Sequence, residues 1–218
     1  MKFTVIIPCY QQAEYLAEAI ESALQQTMPA EIIVINDGST DNTNDIAKRY
    51  PVTLISQVNK GLAAARNTGI MNAHGEYILP LDADDILEPT CIEELERETT
   101  DIIAPEFTVF GTQKGVFRYG EIPTLAQFKE ANRLPYFCAI KKDALLETGG
   151  YQPKMTWGWE DYHLWFDLLS RGKTIALVRQ PLVRYRTKPR SMIHEANEHS
   201  QELWAQLKKD YATLFSQN

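Results

Sequence analysis

An α/β protein with a largely parallel central sheet flanked by helices is the fold class this sequence predicts, and three observations predict it. Over the first half, short apolar runs alternate with segments of helical periodicity. The links between them are short, which suits repeated βα units and a sheet covered by helices. Each early apolar run also ends in polar or aromatic residues, as expected where ligands sit beyond the carboxyl ends of parallel strands.

The elements follow in order. Phe3–Pro8 is a short apolar run and reads as a buried strand, and Ala13–Gln26 places Leu16, Ala17, Ile20, Ala23 and Leu24 at helical spacing. Glu31–Asn36 is a second strand and Asp41–Arg49 a short helix. Val52–Gln57 is a third strand, followed by the alanine-rich helix Leu62–Ala73. Glu76–Leu81 is a fourth strand, and Glu88–Glu98 a helix. Beyond it, Asp101–Phe110 and Val116–Tyr119 read as strands, and Pro123–Ala131 and Lys141–Thr148 as helices, the latter stopped by Gly149-Gly150. Trp159–Ser170 puts Tyr162, Trp165, Phe166 and Leu169 on one helical face; Lys173–Val178 and Leu182–Arg186 are strand-like. The tail Glu195–Phe215 reads as a helix, with Leu203, Trp204, Leu207, Tyr211, Leu214 and Phe215 on one face. That stripe is expected to pack on its own domain or on a second copy, as in a homodimer. Its polar face lacks the basic excess that anionic lipid would require.

Bulk properties narrow the function. The chain has 218 residues, 44% hydrophobic and 23% charged, enough for one domain with a real core. A net charge of −7 argues against nucleic acid as the main partner, because a binding patch there should be basic. The three cysteines, Cys9, Cys91 and Cys138, have no metal or redox spacing and an odd count, which favours a reducing compartment. No apolar run approaches a membrane span and no signal-peptide architecture opens the chain, so the expectation is a cytoplasmic protein.

Asp82-Ala83-Asp84-Asp85, directly after Tyr77–Leu81, is the most informative stretch. Asp favours turns and helix N-caps, so an isolated D-x-D often marks a surface turn. In an extended segment, however, Asp82 and Asp84 point to one side. Converging carboxylates suit a hard divalent cation such as Mg²⁺ or Mn²⁺, which in turn grips phosphates. The other strand ends fall on the same rim: Pro8-Cys9-Tyr10, Asn36-Asp37-Gly38-Ser39, and Asn59-Lys60-Gly61, with Arg66 and Asn67 on the helix that follows. Tyr10 reads as rim packing or as a ring that stacks on a base. Asp37-Gly38-Ser39-Thr40 reads as a turn plus N-cap or as a nucleotide contact. Neither G-x-x-x-x-G-K-[ST] nor G-x-G-x-x-G is present, which argues against a P-loop NTPase and a dinucleotide-binding enzyme. Glu160 and Asp161 start a helix, where the macrodipole stabilises carboxylates; an acid–base role is the alternative.

The segments VIIPCYQQAEYL, VINDGSTDNT, NKGLAAARNTGI, GEYILPLDADD, GGY and WGWEDYHLWFDLLSRG occur in the order found in glycosyltransferase family 2, and the chain resembles that family from residue 3 to about 187. The resemblance implies the GT-A fold and transfer of a sugar from a nucleotide-sugar, usually with inversion. It implies a nucleotide-sugar-binding set of Pro8, Tyr10, Glu14, Asp37, Asn59, Arg66, Asp82 and Ala83. Within it, Asp37 resembles the uracil-contacting aspartate and Tyr10 the base-stacking position. Asp84 resembles the metal ligand of the D-x-D motif, with His194 as a further candidate ligand for Mn²⁺ or Mg²⁺. Asp161 matches the catalytic base, with Glu160 secondary. Trp157 and Trp159 flank these carboxylates and are candidates to line the acceptor side, core packing being the alternative.

The expected organisation is a single domain over residues 1–218. Residues 1–98 would bind the nucleotide-sugar and 99–190 the acceptor, with a closing loop and tail helix over 191–218. The Q-x-x-R-W motif of processive polysaccharide synthases is missing. The expected enzyme is therefore a non-processive hexosyl- or N-acetylhexosaminyl-transferase. It would use a UDP-sugar and a carbohydrate, lipid-linked sugar or protein hydroxyl acceptor, in surface glycan or glycoconjugate assembly. A sugar nucleotidyltransferase is the runner-up; it should carry a glycine-rich, basic loop after the first strand, where this chain has Cys9–Glu14. A non-catalytic nucleotide-sugar-binding protein is the other alternative; it would have no need of Asp161.

Overall fold

The computed structural model describes residues 1–189 and 192–216. Four strands build the first half of the sheet: β1 (Phe3–Cys9), β2 (Glu31–Asp37), β3 (Thr53–Gln57) and β4 (Tyr77–Pro80). All pair in parallel, with Val5 opposite Ile32 and Leu79, and Val34 opposite Leu54. β1 is buried along its whole length, which is why its sequence is a continuous apolar run. Strand alternation splits it between two cores. Phe3, Val5, Ile7 and Cys9 face the layer of α1 (Ala13–Leu24), while Ile6 faces α3 (Leu62–Asn72). α1 contributes Leu16, Ala19, Ile20 and Ala23; each large aliphatic group removed from water there stabilises by about 1.5–3 kcal/mol. α3 lies close to the sheet: a Cβ at Gly69 would sit 2.4 Å from Ile6 Cγ2.

After α2 (Thr43–Ala47), α3 and β4, the topology changes. A two-residue strand, β5 (Ile86–Leu87), precedes α4 (Cys91–Leu95), β6 (Ile102–Gly111), β7 (Gly115–Phe117), α5 (Leu125–Phe128) and β8 (Ala139–Lys141). Then come α6 (Lys142–Thr148), α7 (Glu160–Ser170) and β9 (Ile175–Thr187). The sheet order is β3-β2-β1-β4-β8-β6-β9-β5, with β7 on β6. β8 is antiparallel to β4 and β6, β6 is parallel to β9, and β5 is antiparallel to β9. The sheet is thus parallel across β1 to β4 and mixed beyond them. β9 is one strand where the sequence suggested two separated by Arg179-Gln180-Pro181; those residues bulge within β9 opposite Pro105–Phe107 of β6, where the register shifts. The β5–β9 pair, with Ile86 opposite Arg184, brings the acidic cluster beside the basic end of β9.

The tail is three helices rather than one: α8 (Met192–Glu198), α9 (Ser200–Asp210) and α10 (Ala212–Ser216). Both breaks coincide with aromatic contacts. His199 stacks on Trp157 with centroids 4.0 Å apart, and Tyr211 stacks on Phe166 at 5.5 Å. Leu203 and Leu207 are buried, so the stripe packs on its own chain, against α7. Asp210 accepts from Lys154 at 2.8 Å and pairs with the His163 ring at 3.0 Å, fixing α9 to α7. Among the described residues, no helix is long and apolar enough to cross a membrane.

Candidate active site

A cavity of about 720 Å³ opens beyond the carboxyl ends of β1, β2 and β4. Pro8, Tyr10 and Gln12 line one wall, Asp37 and Asn59–Ala63 another, and Asp82, Asp84 and Asp85 the floor. Tyr10 is 49% exposed. Beside it Gln11 has φ 54°, a left-handed conformation that costs a non-glycine residue about 1 kcal/mol or more. Its backbone N–H donates to Ser39 Oγ at 3.1 Å, which joins the β1 and β2 loops. Asp37 is buried and anchors the loop after β3: its carboxylate accepts from Gln57 Nε2 (2.7 Å), Lys60 N (3.0 Å) and Gly61 N (2.9 Å).

The acidic cluster is a turn, not the extended strand end the sequence suggested; Asp85 N donates to Asp82 O at 3.0 Å. Asp82 and Asp84 nevertheless both line the cavity, while Ala83 is buried. Each carboxylate has a separate partner. Asp82 pairs with Arg66 at 2.8 Å and Asp84 with Lys188 at 2.6 Å. Asp85, 1% exposed, accepts from the Tyr136 hydroxyl at 2.5 Å and from Arg186 N at 2.6 Å. The Tyr136 oxygen also accepts from Asp82 N at 2.9 Å, so one phenol fixes both ends of the turn. Burial raises the Asp82 carboxyl to about 6, although the Arg66 guanidinium opposes the shift. Burial, with the adjacent Asp84 charge, raises Asp85 well above the usual carboxylate range.

Arg66 is the hub. Only 1% exposed, it holds Glu160 Oε1 at 2.5 Å with one terminal nitrogen and Asp82 Oδ1 at 2.8 Å with the other. Its guanidinium lies 4.8 Å from the Tyr136 ring centroid and 5.2 Å from that of Tyr151. Two carboxylates outweigh the cost of burying this cation, and its proton affinity rises further. Asn67, the next residue, clamps Tyr151 through both its backbone groups, at 2.7 and 2.8 Å. Gly150, at φ +81°, makes that clamp possible: a Cβ there would lie 2.4 Å from Asn67 Oδ1.

Glu160 and Asp161 open α7 after Trp159, which has φ 63° and contributes no side-chain cap. Glu160 is buried, lines the cavity and is committed to Arg66. Asp161 is partly exposed; it accepts from Tyr162 N at 2.7 Å and from Asn132 Nδ2 at 3.2 Å. Removal from bulk water, and then the Glu160 charge, push it up to about 7, with Arg66 pulling the other way.

The structure gathers Pro8, Tyr10, Asp37, Asn59, Asp82, Asp84 and Glu160 around one cavity. Arg66 lies beneath it as a bridge between Asp82 and Glu160. Glu14 is exposed on α1, and Gln12 takes the lining position. Trp157 is 41% exposed and stacks on His199; Trp159 meets Trp204 edge-on at 5.4 Å; Gly158 between them lines the cavity. His194 is exposed on α8, whose Met192 and Glu195 are the lining residues, and Arg190 and Ser191 of the expected closing loop lie outside the described residues. Tyr136, Asn132 and Lys188 were not foreseen. The first two meet their partners across 29 or more residues of chain and leave no local signal. Lys188 had one: Arg184, Arg186 and Lys188 recur with period two at the end of an apolar strand.

Among the described residues, no group of three or more His, Cys, Asp or Glu could hold a metal by itself. The oxygens of Asp82 and Asp84 on the cavity floor instead fit a hard cation held by one or two carboxylates together with substrate phosphates and water.

The profile of the family described as "Glycosyl transferase family 2" matches residues 4–150. The chain is 37% identical over 128 residues to glycosyltransferase GlyA of Streptococcus pneumoniae, covering 54% of this chain and 18% of that protein. The chain thus spans less than a fifth of that relative's length. Its fold superimposes on S. aureus TarS in complex with UDP-GlcNAc, with a TM-score of 0.76 at 20% identity over 89% of this chain and 61% of the other. It also superimposes on the mannosyltransferase PcManGT of Pyrobaculum calidifontis in complex with GDP-Man and Mn²⁺, with a TM-score of 0.69 at 20% identity over 93% and 61%.

Proposed function

This chain belongs to glycosyl transferase family 2, and we propose that it is an inverting, divalent-cation-dependent, non-processive transferase. It moves one hexosyl or N-acetylhexosaminyl group from a UDP-sugar to a hydroxyl of a carbohydrate, lipid-linked sugar or protein, in surface glycan or glycoconjugate assembly. The observation that carries the reading is the division of labour between Glu160 and Asp161. Glu160 is tied up in an ion pair with the buried Arg66 guanidinium at 2.5 Å. Asp161, raised to about 7, has an affinity matched to accepting a proton near neutral pH.

In this mechanism Asp161 takes the proton of the acceptor hydroxyl as its oxygen attacks the anomeric carbon. The bond from that carbon to the diphosphate oxygen breaks, and the nucleoside diphosphate leaves on the opposite face. Asn132 holds one Asp161 oxygen and the Tyr162 N–H the other. Asp84, with Asp82, would hold the cation, which when bound neutralises charge on the departing diphosphate. Uridine is favoured by Tyr10 on the rim and by Asp37. A carboxylate has about four acceptor sites, and three donors engage Asp37, leaving room for the N3–H of uracil. Structural neighbours hold both UDP-GlcNAc and GDP-Man, so the fold itself does not choose.

The test is nucleotide release from UDP-GlcNAc, UDP-galactose and GDP-mannose with Mn²⁺, with and without EDTA. The proposal expects slow UDP release that EDTA abolishes. Preferential GDP release would overturn the uridine assignment, and release of pyrophosphate would overturn the transferase chemistry.

A further inference from the structure

Lys188 directly follows the end of β9, and its ammonium sits 2.6 Å from Asp84 Oδ2. Both side chains are largely sheltered, at 21% and 13% exposure, yet both line the cavity. The lysine is held over the Tyr15 ring at 5.1 Å, beside Arg186, whose guanidinium lies 4.9 Å from the same ring. The neighbouring carboxylates have other partners: Asp82 has Arg66, and Asp85 has Tyr136 and Arg186 N. A lysine thus neutralises one of the two carboxylates that the functional reading gives to a divalent cation.

We propose that Lys188 is the resident counter-cation of Asp84, which a divalent cation displaces on binding and which then pairs with the donor's diphosphate. The proposal rests on the metal-dependent reading above. Two cations on one carboxylate repel strongly at such short separation, so they compete for it. Lysine suits a handover because its ammonium is a point charge on a flexible stem and can re-aim, whereas arginine's rigid fork favours staying with a carboxylate. Arg66 and Lys188 divide these roles: Arg66 is buried between two carboxylates, and Lys188 faces the cavity. Nucleotide-free protein would then resist the metal, and metal and nucleotide would each promote binding of the other.

The experiment titrates Mn²⁺ into the protein with and without UDP, reading free Mn²⁺ by its electron paramagnetic resonance signal. It uses the wild type, Lys188→Gln and Lys188→Met, each checked for folding by thermal unfolding. Both variants should bind Mn²⁺ more tightly than wild type without UDP and bind UDP more weakly in saturating Mn²⁺. The factor by which UDP tightens Mn²⁺ binding should fall about tenfold, a usual size for such coupling. An equal factor in wild type and both variants overturns the handover and leaves the metal-dependent reading standing. No Mn²⁺ binding by wild type, with or without UDP, overturns that reading and the handover together.

Discussion

Replacing Arg66 by Met should destabilise the protein strongly and move its activity to higher pH. The guanidinium is 1% exposed and bridges Glu160 at 2.5 Å and Asp82 at 2.8 Å. Methionine fills part of the volume but leaves two carboxylates without their cation. Removing one partner of a buried pair typically costs 3–5 kcal/mol. Asp82 is 26% exposed on its side chain and can relax toward water, so the lower range, about 2–4 kcal/mol, is expected here. For a chain of this size that is a fall in Tm of roughly 4–16 °C. Arg66 also holds the Asp161 carboxyl down against burial and the Glu160 charge. Without it that group titrates above about 7, so the limb on which activity rises with pH moves alkaline. Scanning calorimetry and a pH–rate profile measure the two effects. Adding Glu160→Gln removes one orphaned charge and should recover part of the stability. A single variant that unfolds within 2 °C of wild type, with an unmoved profile, would refute the bridge as an energetic element.

Other outcomes follow from the same geometry. Asp84→Asn should keep the fold but lose the dependence of UDP binding on Mn²⁺, measured by calorimetry with and without EDTA. Asp37→Asn should weaken UDP binding by about 1–3 kcal/mol and also lower Tm, because it replaces an acceptor of three loop hydrogen bonds with a group that donates on one side. Asp161, raised from an ordinary 3.8 to about 7, contributes stability that is fully present below pH 4 and lost as pH rises through 7. Asp161→Asn should therefore be more stable than wild type at pH 8, by about 1–2 kcal/mol after discounting for partial exposure, and the gap should close by pH 4 in urea unfolding.

How much was legible in the sequence follows the range of the interactions. β1, β2 and β4 of the parallel half were legible because they are buried almost throughout and read as nearly unbroken apolar runs. β5 and β8 were not, because two or three residues carry no periodicity. The tail's apolar stripe was visible, but its breaks at His199 and Tyr211 answer to partners on and near α7 that local pattern does not encode. In the site, the carboxylates were legible as residues and their states were not. Glu160 and Asp161 are adjacent and chemically alike; only the position of Arg66, 94 residues away from Glu160, distinguishes them. Arg66 itself read as a nucleotide contact, since an arginine in an alanine-rich helix gives no sign that two carboxylates and two phenol rings enclose it.

The most direct test of the account compares turnover by Asp161→Asn and Glu160→Gln on a transferable acceptor, with UDP affinity measured in parallel. Asp161→Asn keeps the size of the side chain and removes its proton affinity. The account predicts a loss of 10²–10⁴-fold in kcat, roughly 3–5 kcal/mol of barrier, with UDP affinity unchanged. Glu160→Gln should lose less in kcat and more in Tm, because it weakens the Arg66 bridge rather than the chemistry. An Asp161→Asn enzyme that turns over near the wild-type rate would contradict the account; if Glu160→Gln were inactive at the same time, the base would be Glu160.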